Sequence, residues 1–187
     1  MMKDMQAIAL VEFNSIAHGI AFADEMVKGG AVKLLDNYPT CPGKHIVIVS
    51  GDTQAVQEAV KNGYKAGKDF VLEQTVIPNV NPLVLNAALG IPNTAFEDID
   101  AIGIVESFSV IKCVEAADIA CKQSKVKLVD MRLGKALGGK GYFIVTGDIG
   151  AVKSSVMAAV EFLKDITNLV QFKIIPSPSD EVKRSLL

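Results

Sequence analysis

The strongest constraint on this chain is that it contains one domain-sized pattern twice. Residues 7–13 read AIALVEF and residues 101–107 read AIGIVES, and a shift of 94 goes on to pair Ser15 with Ser109, Asp24 with Asp118 and Lys28 with Lys122. The same shift joins Val32, Lys33, Leu34 and Asp36 to Val126, Lys127, Leu128 and Asp130. Beyond Asp36 the shift is 96, matching Gly43, Lys44, Val49, Gly51 and Asp52 to Gly139, Lys140, Val145, Gly147 and Asp148. It becomes 98 where Val76, Ile77 and Pro78 meet Ile174, Ile175 and Pro176. A period of roughly 90 residues that occurs twice is a duplicated domain, since solenoids stack more and shorter units. The domains are accordingly placed at residues 1–98, linker included, and 99–187.

Within each copy the hydrophobic period changes in a fixed order. Short apolar runs at 7–13 and 101–106 suit buried strands, and Ser15 or Ser109 then stands where an N-cap opens a helix that runs to about Lys28 or Lys122. Strand-like runs follow at 31–36 and 44–50, and at 126–131 and 141–146, each pair separated by a glycine-containing loop. Gly51-Asp52 and Gly147-Asp148 end these hairpins and cap a second helix, after which 70–77 and 169–175 supply a fourth strand. The order β-α-β-β-α-β is the ferredoxin-like split βαβ arrangement, an α/β (α+β) fold on an antiparallel sheet. A short helix is expected from Pro82 to Leu89 in the linker.

Composition excludes several classes of function. Half of the 187 residues are apolar and 21% are charged, enough for a packed core. A net charge of -2 with scattered lysines provides no basic field for nucleic acid. Acidic residues such as Glu12, Asp24, Asp52, Glu106 and Asp118 interrupt every apolar stretch before it could span a bilayer. The start Met1-Met2-Lys3-Asp4 and an apolar run ending at Glu12 do not form a secretory signal, so a cytoplasmic location is expected. Three cysteines, Cys41, Cys113 and Cys121, form no CxxC pair, and an odd number fits a reducing compartment.

Read without any relative, the candidate residues each have an ordinary explanation beside a functional one. Cys41 lies in the loop between the second and third strands, where copy two has Leu137 or Gly138, and a free cysteine often behaves as an inert small hydrophobe. Cys113 and Cys121 lie on the first helix of copy two, where core packing is expected. Glu12 and Glu106 recur in both copies, which favours a structural role: accepting backbone hydrogen bonds or pairing across a subunit boundary. Lys44 and Lys140 are solvated loop lysines or a source of positive field. His18 and His45 have neither metal spacing nor a nucleophile beside them and are expected at the surface or in an interface. Gly138-Gly139-Lys140-Gly141 lacks P-loop spacing and precedes a strand.

With the strand ends Val11-Glu12 and Val105-Glu106, a helix closing near lysine, a Gly-Asp after the hairpin and a closing Ile-Pro, the chain resembles bacterial microcompartment shell proteins, twice over and along nearly its whole length. Thr40-Cys41-Pro42-Gly43-Lys44 is similar to the tandem, T-type members of the propanediol-utilisation compartment. The resemblance implies a homotrimer with the outline of a hexagon, located in the shell of a cytoplasmic microcompartment, and joined to other shell proteins through edge lysines Lys28 and Lys122. It implies a central metabolite pore lined by Thr40, Cys41, Pro42, Gly43 and Lys44 of copy one and Leu137, Gly138, Gly139 and Lys140 of copy two. It also implies one 4Fe–4S cluster per trimer, with Cys41 as its metal ligand and a redox enzyme of the lumen as a further partner; three-fold symmetry would supply three of the cluster's usual four thiolates. The chain departs from many shell tiles after the closing Ile-Pro, where they place arginine and it has Asn79 and Ser177. No nucleophile, base and orienter set supports an enzyme. The alternative is a trimeric regulator of ferredoxin-like fold that binds a small ligand.

Overall fold

A computed structural model describes residues 6–187; the Met1-Met2-Lys3-Asp4 start discussed above lies outside the described residues. The chain divides into two compact units, the first ending at Val80 and the second running from Asn81 to Leu187.

The first unit runs β1 (Ala7–Phe13), α1 (Ile16–Gly29), β2 (Lys33–Thr40), β3 (Lys44–Gly51), α2 (Thr53–Gly63) and β4 (Val71–Pro78). The sheet order is β2-β3-β1-β4 and every pairing is antiparallel, as expected for the ferredoxin-like arrangement. Helix starts follow the cap chemistry: the Ser15 hydroxyl accepts the His18 N–H, and the Asp52 carboxylate accepts the Ala55 N–H at 2.9 Å. Because strand side chains alternate, Ala7, Ala9, Val11 and Phe13 point into one core with Phe22, Ala23 and Met26 of α1, Val47 and Val49 of β3, and Val56, Ala59 and Val60 of α2. The other face of β1 carries Ile8, Leu10 and Glu12, all buried.

The second unit repeats this plan. After α3 (Pro82–Ala88) come β5 (Ala101–Ser107), α4 (Val110–Gln123), β6 (Lys127–Leu133), β7 (Gly141–Gly147), α5 (Ile149–Asp165), β8 (Leu169–Ile175) and α6 (Asp180–Ser185), with sheet order β6-β7-β5-β8. Ser109 again accepts a cap hydrogen bond, from the Lys112 N–H at 3.1 Å. Asp148, the counterpart of Asp52, stands at the N-cap of α5 without a side-chain cap bond. Both fourth strands and the linker helix fall within a residue or two of their expected limits.

The division at Val80 differs from the boundary expected at residue 98. Segment 81–98 groups with the second unit because α3 packs on β6 and α4. Polar contacts hold its start: the Asn81 N–H donates to Asp118 Oδ1 at 2.7 Å, and the Asn81 amide donates to the Cys121 carbonyl at 3.2 Å.

Candidate functional site

The candidate residues of the first copy lie at the β2–β3 turn. Thr40 ends β2 and is buried, Cys41, Pro42 and Gly43 are exposed, and Lys44 opens β3. The turn closes through the Gly43 N–H donating to the Thr40 carbonyl at 3.0 Å. Gly43 has φ +86°, a left-handed conformation that glycine adopts without steric penalty, and a Cβ there would meet nothing. The Cys41-Pro42 peptide is cis. The three-residue turn thus presents the Cys41 thiol to solvent.

Lys44 does not extend freely. Its Nζ is 3.2 Å from Glu12 Oε2 on the adjacent strand, and the Glu12 side chain is only 6% exposed against 33% for Lys44. Burial raises the Glu12 carboxyl above its usual range; the ion pair to Lys44 opposes this without cancelling it, and Glu12 Oε1 is buried with no partner. Within the chain the partner of Glu12 is the Lys44 side chain, not the backbone bond its repetition suggested. A group that holds its proton more tightly when folded stabilises the fold at low pH, and that stability declines as pH rises through the carboxylate range. Lys44→Met removes the compensating charge. It is expected to destabilise the protein by about 2 kcal/mol at neutral pH, with the loss recovering on acidification as Glu12 protonates. Chemical denaturation of both proteins between pH 4 and 7, as approximate limits of that titration, measures this; a loss independent of pH would mean that only packing was removed.

In the second copy the equivalent loop is longer, Gly134–Lys140, and is closed by the Gly134 N–H donating to the Lys140 carbonyl at 3.0 Å. Leu137 is half-buried, Gly138 is exposed, Gly139 is buried and Lys140 is exposed, with its Nζ 5.8 Å from the Phe108 ring centroid. This loop has no thiol, so the copies present different chemistry at equivalent turns. Each unit brings its own turn residues together.

The other cysteines are placed as packing predicts. Cys113 is fully buried and its thiol is pushed well above the normal range by desolvation; Cys121 is pushed up to about 12, first by burial and then by Asp118. Among the described residues no group of three His, Cys, Asp or Glu side chains gathers as a metal site, and no helix is long and apolar enough to cross a membrane.

Of the two histidines, expected at the surface or in an interface, His45 is enclosed within the first unit. His18 is half-buried and stacks on Phe70 with centroids 3.5 Å apart. His45 is 1% exposed, bonded through Nε2 to Asn37 Oδ1, while its Nδ1 has no partner; burial lowers its pKa. Its ring lies against Gly19, where an added Cβ would be 2.5 Å from the imidazole. This packing was invisible in the sequence, because strand periodicity marks a position as inward without naming what it meets.

The family model for the BMC domain matches the chain twice, over residues 7–80 and 101–178. The chain belongs to the BMC-domain family. It is 37% identical over 182 residues to the bacterial microcompartment shell protein PduT of Citrobacter freundii, an alignment covering 97% of this chain and 98% of that protein. The single-domain shell protein PduA of the same organism is 32% identical over 87 residues, 46% of this chain and 91% of its own. A crystal structure of a microcompartments protein from Desulfitobacterium hafniense DCB superposes with TM-score 0.90 at 45% identity, covering 96% of this chain and 99% of that one. The chain is thus a tandem-domain shell protein of bacterial microcompartments.

Lys28 and Lys122, the lysines expected at the tile edge, lie in the last turn of the first helix of each BMC domain. Lys28 pairs with Asp24, both exposed, whereas Lys122 pairs at 2.5 Å with Asp118, which is buried and also accepts the Asn81 N–H. The two lysines therefore differ in freedom: Lys28 is on an open surface and Lys122 is tied to α3.

Proposed function

We propose that this protein is a non-enzymatic, homotrimeric tile of the microcompartment shell, in which β2–β3 turns and their copy-two counterparts surround a central pore, and three copies of Cys41 hold one 4Fe–4S cluster. The observation that carries the reading is the placement of Cys41: an exposed thiol on a short turn, present in one copy of a duplicated domain, so that three chains supply three ligands. The donor set fits a cluster only through symmetry, since a single chain gathers no such group among the described residues. When bound, a cluster would supply one-electron transfer across the shell, with a redox enzyme of the lumen as the partner it serves. The chain's own part is to present the thiols. Metabolites would pass the same axis; with Lys44 committed to Glu12, the positive charge offered there comes chiefly from Lys140. Neighbouring shell proteins would meet it along edges bearing Lys28 and Lys122.

Reconstitution with iron and sulfide without oxygen, followed by iron analysis and the visible spectrum, tests the cluster. Three thiolate ligands per cluster predict about four irons per three chains. A stable trimer that takes up no iron would leave a plain pore tile. A discrete trimer that never assembles into sheets with shell proteins would favour the small-ligand regulator instead.

A further inference from the structure

The copy that carries the exposed thiol also carries a buried charge pair that the other copy lacks. Lys44 opens β3 three residues after Cys41, and its Nζ lies 3.2 Å from Glu12 Oε2. At the matching positions Glu106 is half-buried and Lys140 is exposed, with its Nζ over the Phe108 ring instead.

Glu12 shares one face of β1 with Ile8 and Leu10, opposite the face that packs on the helices. On that face β3 contributes Ile46, its register partner, and Lys44, while β4 contributes Glu73. The charged groups facing Glu12 are thus one cation and one anion. Burial is the main force resisting its ionisation, Lys44 favours ionisation, and Glu73 adds a smaller resistance. Glu12 is 4% exposed, and its Oε1 has no hydrogen-bond partner. A proton taken up at Oε1 leaves the contact of Oε2 with Lys44 in place. The pair then changes from neutral to singly positive at the base of the turn that presents Cys41, in a setting where one unit of charge is poorly screened.

We propose that Glu12 couples the cluster held by Cys41 to protons: when a one-electron donor reduces the cluster, the three Glu12 carboxylates of the trimer together take up a proton from solvent, and Lys44 is left to answer the added negative charge. The electron stays on the cluster, the new O–H bond forms at a Glu12 oxygen, and no other bond is made or broken. Oxidation releases the proton. The inference rests on the cluster proposed above and names what regulates its electron affinity. Reduction favours the neutral carboxyl, so by linkage acid favours reduction equally. Electron affinity is highest where Glu12 is neutral in both redox states. It falls as pH rises through the range in which Glu12 ionises, which lies above the ordinary glutamate value of 4.5.

Anaerobic reconstitution of the full chain, Glu12→Gln and Glu73→Gln, followed by redox titration with mediators between about pH 5.5 and 8.5, tests the coupling. In the wild type, electron affinity is expected to fall about tenfold across this range, which for a one-electron couple is about 59 mV. Glu12→Gln, neutral and of the same shape, is expected to hold the high value at every pH. Glu73→Gln is expected to keep the fall and move it to lower pH, because one opposing charge is gone. The infrared difference between reduced and oxidised protein reads the group itself: a carboxyl band that appears on reduction, shifts in deuterated water and is missing from Glu12→Gln. A purely structural role would shift the potential equally at all pH values and produce no such band. A potential independent of pH, a fall that persists in Glu12→Gln, or one that Glu73→Gln does not move overturns this inference and leaves the cluster standing. A chain that takes up no iron removes both.

Discussion

Cys41→Ser is expected to abolish iron uptake completely, while Cys113→Ser and Cys121→Ser leave it at the wild-type level. The ligand of an iron–sulfur cluster is the thiolate, so the competent cysteine must be reachable and able to lose its proton. Cys113 meets neither condition, being enclosed by the core, and desolvation opposes its ionisation. Cys121 is nearly as enclosed and lies beside Asp118, whose charge adds to the penalty. Cys41 stands exposed on a closed turn. A hydroxyl in its place keeps the turn and removes the soft sulfur donor. In the proposed site each chain would contribute one ligand, so a single substitution would remove all three protein ligands at once and loss should be total rather than partial. Iron content and visible absorbance after anaerobic reconstitution provide the measure. Retained iron in Cys41→Ser, or loss in Cys113→Ser with the trimer intact, would assign the ligand elsewhere.

Gly19→Cys is expected to destabilise the first domain by about 3 kcal/mol, and the triple variant Gly19→Cys, His45→Gly, Asn37→Met to recover most of that loss. The two domains have solved one packing problem with opposite size choices. In the first, Gly19 makes room for the His45 ring, and Asn37 satisfies its Nε2. In the second, the counterparts are Cys113, Gly141 and Met131: the bulk comes from the helix, and a Cβ on Gly141 would lie 2.7 Å from Cys113 Cβ. Adding a side chain at Gly19 alone sets it within 2.5 Å of a ring that has no open space to move into. The triple change transplants the second solution and also removes the buried, unpartnered Nδ1 of His45. Equilibrium unfolding of the single and triple variants decides the point. If the triple variant is no more stable than the single one, the exchange is not a complementary pair.

The duplicated fold was legible because it depends on local patterns. Alternation or continuity of apolar residues marks strands, Ser15, Ser109 and Asp52 mark helix starts by bonds to N–H groups three residues on, and glycine marks the turns. Repetition then doubled every signal, so that a weak match in one copy was supported by the other. Cys41 was identifiable for the same reason: the asymmetry between the copies is visible as a residue present in one and absent from the other. The burial of Cys113 and Cys121 also followed from their places on an amphipathic helix.

Other features required the structure. His45 was expected at the surface or in an interface, yet it is enclosed within its own unit, because the β3 register opposite Pro39 and the small Gly19 on α1 together create its space. Lys44 reads as a loop amine, yet the pairing of β1 with β3 brings it to Glu12. Segment 81–98 reads as a linker belonging with the first domain, yet its first residue, Asn81, bonds to Asp118 and Cys121. The sequence by itself determined the duplication, the order of elements, the caps at Ser15, Asp52 and Ser109 and a turn cysteine present in one copy, since these are read from local residue patterns and their repetition. Only the tertiary structure decided which side chains meet across elements, since that depends on strand register and packing between segments distant in sequence.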